Sequence, residues 1–242
     1  MIKSPELLIK ILLDYYKSQG IRFKKNGAII HFDGTLMSIV NVLLLRQSNQ
    51  PITTIVCAFN QNKYYLAYLQ TVAKQLELDL QIKDLTKDFE VLHNNSSDIT
   101  SEISVRKRLV DLHLSLEADK KNSFIVSNLT YSQWCINFPH SNYQNLEHLH
   151  LLNRLFYGEL QQLALHLNVS KVLTEREPSF YLYQNHTDHK ILGFTYQELE
   201  EFLRNQQQPK SYSDSIIKQK LVADNRDRYL CPVISRPSNL LG

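Results

Sequence analysis

The stretch IIHFDGTLMSIV at residues 29–40 changes character at Asp33-Gly34. Before that dipeptide the chain is rich in β-branched residues, and after it no charge occurs until Arg46. A second β-branched run follows at 52–59. Strand, tight turn, buried helix and strand in that order form a βαβ unit, which makes the two strands parallel and neighbours.

The same alternation runs on. Ser4-Pro5-Glu6 reads as a helix start, with proline at the first helical position and an acid in the first turn. Leu7, Leu8, Ile11, Leu12 and Tyr15 then share a face, and Gly20 is placed to close that helix in a left-handed conformation. The pattern predicts strands at 28–32, 52–59, 80–82 and 123–126, with helices at 36–45, 63–76 and 158–167. A polar linker at 94–98 is followed by a helix whose apolar residues are Ile99, Ile103, Leu109, Leu112 and Leu116. Residues 171–173 read as a short extended piece, Gln206–Gln208 as a surface loop, and Thr195 to Glu198 as a capping box. The expected fold is therefore an α/β, flavodoxin-like doubly wound parallel sheet with helices on both faces, formed as one domain over 1–242. Ligands of such sheets bind at the carboxyl ends of the strands, here the loops at 33–37 and 127–132.

Composition sets limits. With 242 residues, 43% of them hydrophobic, the chain can bury a substantial core. A net charge of +3 points to no nucleic-acid partner, and no apolar run reaches the length of a membrane span. The amino terminus lacks the pattern of a signal peptide, and Cys57, Cys135 and Cys231 show no metal-ligand or disulfide spacing, so a reducing cytoplasmic setting is expected. Only six glycines occur, few for a protein that cradles phosphate with backbone N–H groups. Glu147-His148-Leu149-His150 suggests a metal site at first sight, but read as helix its two histidines splay apart. Cys57 reads as a core thiol, Trp134 as packing, and His186 and His189 as parts of an exposed loop.

Several segments in one order resemble the ammonia-dependent NAD synthetases of the N-type ATP pyrophosphatase group. Glu175-Arg176-Glu177-Pro178-Ser179 resembles the family's Pro-Ser-Ala-Asp-Leu region. Thr187-Asp188, then Leu192-Gly193-Phe194-Thr195-Tyr196-Gln197-Glu198-Leu199, resembles its Thr-Asp-Glu and Leu-Gly…Thr-Tyr region. Val105-Arg106-Lys107-Arg108 resembles its Ala-Arg-x-Arg helix, residues 155–160 its Leu-Tyr-Lys-Thr-Glu-Val helix start, and residues 225–228 its late basic cluster. The resemblance implies a chemistry in which ATP adenylates the carboxylate of nicotinic acid adenine dinucleotide and ammonia displaces the adenylate. It also implies Mg²⁺, a homodimer, and a dinucleotide or interface role for Arg106 and Arg108. Pro178-Ser179 and 193–196 read as turns and caps.

Against the family's Ser-Gly-Gly-x-Asp-Ser loop stands Asp33-Gly34-Thr35-Leu36-Met37-Ser38. Asp33 puts a carboxylate where a triphosphate would lie, and two like charges about 4 Å apart repel by roughly 4 kcal/mol at an effective dielectric near 20. Met37 replaces a hard oxygen ligand by a thioether, which does not suit Mg²⁺. The family's Gly-Thr-x-Asn-x-Ser-Glu loop matches residues 127–133, where Gln133 takes the place of its glutamate. No acid stands in the segment of Tyr143, Gln144, His148 and Leu151, and Tyr157 replaces a phosphate-binding lysine. The first expectation is a family-like protein that has lost ligation: a dimeric scaffold or weak binder of adenine nucleotide or dinucleotide, with no cofactor and no metal. Its remnant nucleotide site is Asp33, Gly34, Thr35, Ser38, Asn128, Thr130 and Ser132. The alternative is an active ammonia-dependent NAD synthetase using ATP and Mg²⁺ at a rearranged site, with Asp33, Asp188 and Glu159 as its acids. A third reading is an unrelated activity on the same sheet.

Overall fold

Buried on both faces, the central strand β1 (Gly27–His31) alternates its side chains between two cores. The computed structural model describes residues 2–59, 63–93, 99–136, 138, 148–179, 187–205 and 212–223. Its sheet is parallel throughout, with β1 between β2 (Ile52–Ala58) and β4 (Ser123–Val126), β3 (Leu80–Asp84) beyond β2, and β5 (His148–Leu149) beyond β4. Ala28 and Ile30 of β1 pack with α1 (Pro5–Phe23), α2 (Leu36–Arg46), α3 (Lys63–Gln75) and α7 (Tyr157–His166). Ile29 packs on the opposite face with α5 (Ile99–Lys121) and Phe89 of α4 (Thr86–Leu92). The doubly wound α/β architecture with helices on both faces is thus the one expected.

α2 is buried almost all round, from Leu36 through Leu45, which is why it shows no apolar stripe in the sequence. Thr35 caps its start by accepting from the Ser38 N–H. α1 begins at Pro5 as expected but does not stop at Gly20. It continues to Phe23, and Lys24 makes the left-handed turn at φ 54°. Gly20 matters for closeness instead: a Cβ there would lie 3.3 Å from the Lys25 carbonyl oxygen.

Two other expectations change. Residues 171–173 are not extended but belong to α8 (Lys171–Thr174), a single turn closed by the Thr174 N–H and hydroxyl on the Ser170 carbonyl. On α5 the buried face is Leu109, Val110, Leu114 and Ala118, while Leu112 and Leu116 are 58% and 50% exposed. Both sets fit helical spacing, and Val110 and Ala118 bring the first set closer to the sheet. Linker 94–98 and loop 206–208 lie outside the described residues.

His148 lies in a strand rather than a helix, so His150 returns to the same side and the two rings stand 6.4 Å apart. Glu147 lies outside the described residues. Lys107 of α5 faces both rings, and Asp111 of the same helix faces Lys107. Burial, followed by the repulsion of Lys107, lowers His150 to about 4; burial, His150 and Lys107 lower His148 to about 3. Among the described residues the buried nitrogens His148 Nε2 and His150 Nδ1 have no hydrogen-bond partner. Cys57 and Cys135 are buried thiols, as expected for Cys57.

Candidate nucleotide site

The connection after β1 leads to β2 on one side, and that after β4 leads to β5 on the other. The sheet order therefore reverses between β1 and β4, and the crevice opens at their carboxyl ends. The loops at 33–37 and 127–132 flank it, where the alternation of elements placed them.

The first loop is pinned from outside. Tyr65 and Tyr68 of α3 donate their hydroxyls to the carbonyls of Asp33 (2.9 Å) and Gly34 (3.0 Å). Gly34 has φ +67°, and a Cβ on it would lie 2.5 Å from Leu69 Cδ2 and 2.8 Å from Tyr68 Cε1. Only glycine fits that backbone at that distance.

Asp33 turns inward on its own loop. Its Oδ1 accepts from the Thr35 N–H (3.0 Å) and the Thr35 hydroxyl (2.6 Å). The Ser38 hydroxyl donates to the Thr35 carbonyl (3.0 Å) and is fully buried. The donors of Thr35 are thus turned to an internal carboxylate, and the hydroxyl of Ser38 to its own helix.

The second loop is bound to the first. Asn41 of α2 donates through Nδ2 to the Ser127 carbonyl (3.1 Å) and to Asn128 Oδ1 (2.9 Å). Asn128 Nδ2 donates to the His31 carbonyl (2.7 Å). Thr130 and Gln133 form the capping box of α6 (Tyr131–Cys135). Ser132 donates to Glu200 of α10 (Tyr196–Asn205) at 2.9 Å and accepts from the Tyr157 N–H at 2.9 Å. Burial raises the Glu200 carboxyl despite the donors Gly158 N–H and Ser132. Of the seven expected residues, Gly34 and Thr35 line the open cleft, while Asp33, Ser38, Asn128, Thr130 and Ser132 form the scaffold described above.

The cleft is narrow and open to solvent, and its far wall comes from Leu173 of α8 and residues 176–179 after it. Arg176, Pro178 and Ser179 face Gly34, Thr35, Leu36 and Met37 there. The Arg176 guanidinium carbon lies 3.9 Å from the Tyr68 ring centroid. Sequence reasoning missed Arg176 and took Pro178-Ser179 for a turn; the nearby Pro-Ser match was the available signal. The Pro178 carbonyl does accept from the Asp188 N–H (2.9 Å), and Gly193 at φ 80° and Thr195–Glu198 act as the expected cap and capping box. Tyr157 also lines the cleft, its ring stacked 5.2 Å from that of Tyr196.

Arg106 is committed within the chain. It lies 2.5 Å from Glu102 and stacks on Phe89 (4.5 Å) and Phe59 (5.4 Å). Arg108 is exposed on the same helix. His189 has Glu177 3.4 Å away, and His186 lies outside the described residues.

The Mg²⁺ that the resemblance implies does not fit the donors present. Met37 offers a thioether, and Gln133 a neutral amide already fixed by Thr130. Asp188 accepts the Tyr196 hydroxyl at 2.7 Å. Glu159 accepts the Phe156 N–H and pairs with Arg204 at 2.8 Å. Among the described residues no three His, Cys, Asp or Glu side chains are grouped to hold a metal ion.

The family model described as NAD synthase matches residues 31–238. The NH(3)-dependent NAD(+) synthetase of Mycoplasmopsis pulmonis is 23% identical over 230 residues, covering 90% of this chain and 89% of that protein. Two solved structures share the fold: an NMN synthetase from Francisella tularensis (TM-score 0.84, 18% identity, 96% of this chain and 99% of that one) and an NH3-dependent NAD synthetase from Campylobacter jejuni (TM-score 0.71, 14% identity, 96% and 99%).

Proposed function

The chain belongs to the NAD synthase family, and from that premise we propose that it binds an adenine or nicotinate nucleotide at the β1/β4 cleft without metal-dependent ligation. The observation that carries this reading is the inward turn of Asp33 onto Thr35, which directs that residue's donors away from an incoming polyphosphate. The two other acids a rearranged metal site would need, Asp188 and Glu159, accept from Tyr196, Phe156 and Arg204. The family's reaction needs phosphate charge neutralised as adenylate and pyrophosphate form.

The comparisons favour a second reading, the family's own activity: ATP-dependent amidation of a nicotinate nucleotide with ammonia. The match runs over most of the chain, and its relatives are named as synthetases of NAD and NMN. One experiment separates the two. The protein is incubated with ATP, Mg²⁺, ammonia and either deamido-NAD or nicotinate mononucleotide, and amide product and pyrophosphate are measured. No product is expected, with Mg²⁺ strengthening ATP binding by less than about threefold, or ~0.7 kcal/mol. Turnover near ordinary enzyme rates of roughly 1–10³ s⁻¹ establishes the ligase instead.

We further infer a homodimer formed through α4 and α5. Leu112 and Leu116 of α5 and Val91 and Leu92 of α4 are exposed apolar side chains on two helices that pack together. Sedimentation is expected to show a dimer that Leu112→Lys with Leu116→Lys converts to monomer. A wild-type protein that stays monomeric across a wide concentration range refutes it. Cytoplasmic work is supported by the buried thiols Cys57 and Cys135. Among the described residues no helix is long and apolar enough to cross a membrane.

A further inference from the structure

We propose that the end of the molecule opposite the crevice is a membrane-surface site, where the last residues of α1 and α5 set a cluster of cations and two bare apolar side chains against anionic phospholipid headgroups. Each helix runs into the amino end of the next strand, α1 into β1 and α5 into β4, and those strands are neighbours in the sheet. The two helix ends are also joined directly. Asn122 Nδ2 donates to the Lys24 carbonyl at 2.8 Å, and the Asn26 N–H donates to the Asn122 carbonyl at 2.9 Å. Segments 17–25 and 117–123 thereby share one surface. They hold six cations, Lys17, Arg22, Lys24, Lys25, Lys120 and Lys121, against two acids, Glu117 and Asp119. That excess of four is larger than the +3 of the whole chain, so the rest of the molecule is close to neutral. Glu117 pairs with Lys120 at 3.0 Å, while Lys17, Arg22 and Lys24 are exposed.

Cations in the last turn of a helix complement its dipole, and Arg22, Lys120 and Lys121 do so here. The dipole does not account for the apolar pair among them. Ile21 is 82% exposed and Phe23 53% exposed. Phe23 is held in a fixed setting, its ring edge-on to that of Phe124 at 6.2 Å and under the Arg22 guanidinium carbon at 5.2 Å. Side chains standing that clear of the fold suit a plane of headgroups, which receives apolar tips while the surrounding cations meet lipid phosphate. The attachment is peripheral and needs no spanning segment. Because the sheet is parallel, this end lies at the amino ends of the strands and the crevice at their carboxyl ends. A molecule seated by it keeps the crevice open to water. The cytoplasmic leaflet is the anionic one, in keeping with the setting proposed above.

The test is co-sedimentation of the full chain with phosphatidylcholine vesicles, with and without phosphatidylglycerol, in low salt and in about 1 M salt, where the screening length falls to about 3 Å. Binding to the anionic vesicles is expected to be at least about tenfold tighter than to the neutral ones, and to be lost in high salt. A cation near such a surface is worth about fivefold, so Lys24→Gln with Lys25→Gln is expected to weaken binding about 25-fold. Ile21→Ser is expected to weaken it about fivefold or more. Thermal melts identify any variant that fails to fold, and Lys17→Gln with Lys120→Gln then replaces the first pair. No binding to anionic vesicles, equal binding to both kinds, or binding that the lysine and Ile21 variants leave unchanged overturns the inference. Polyglutamate that binds more tightly than the vesicles assigns the surface to an acidic protein, and an oligomer that Ile21→Ser dissolves assigns it to a second copy; either result overturns it.

Discussion

Gly34→Ala is expected to destabilise the protein by about 2–5 kcal/mol. Two separate costs add. A left-handed backbone at φ +67° costs a non-glycine residue roughly 1–2 kcal/mol. The new methyl would also stand 2.5 Å from Leu69 Cδ2 and 2.8 Å from Tyr68 Cε1, and overpacking of that kind typically costs about 1–3 kcal/mol. Neither neighbour can swing away cheaply. Leu69 is 1% exposed within the main core, and Tyr68 is tied to the Gly34 carbonyl and stacked under Arg176. Urea unfolding checks the value through its midpoint, provided the slope is unchanged. A loss under about 0.5 kcal/mol, the range of neutral surface changes, would show that the loop relaxes around the methyl.

Acid is expected to weaken the fold sharply between pH 7 and pH 5. His148 and His150 are held at about 3 and about 4, below the ordinary 6.5 of an unfolded histidine. As pH falls through 6.5 the unfolded chain takes up these protons and the folded chain does not. Stability is therefore full above pH 6.5 and is lost progressively down to the folded values. At pH 5 each histidine accounts for about 2 kcal/mol, or about 4 for the pair. A chain of this size loses about 2–4 °C of Tm per kcal/mol, so a fall of about 8–16 °C is expected from this source. Asp111, whose carboxyl is raised by burial, works in the opposite direction as acid is added. Melting curves at the two pH values check the prediction, with His148→Asn and His150→Asn together expected to remove the share that these two rings supply, while His31, also lowered by burial, keeps its own. If the double variant melts with the same pH dependence as the wild type, the two rings are not its source.

The frame of this molecule was legible because β-branched runs and apolar helices alternate over most of the chain. β1, α2 and β2 fell within a residue or two of their expected bounds, and both crevice loops stood where that alternation placed them. α5 was harder. Its leucines satisfy two helical faces at once, and only the packing of Val110 and Ala118 against the sheet selects one. β5 has two residues, one a histidine, and its existence depends on pairing with β4 rather than on any local preference. The chemistry of the cleft was legible as a set of substitutions, since Asp33, Met37, Gln133 and Tyr157 announce themselves by type. What became of them was not. That Asp33 would bend onto Thr35, and Ser132 would lock to Glu200, depends on where distant elements meet. Arg176 shows the same limit: a cation in a polar turn reads as solvated until the fold sets it over Tyr68.

Asn41 and Asn128 draw the two crevice loops into one body, through amides that reach Ser127, each other and the His31 carbonyl. An entering molecule would find the mouth already shaped, with no ordering of these segments left to oppose its arrival. The selectivity of the crevice would then come from refusal: what does not match its set outline is turned away rather than accommodated.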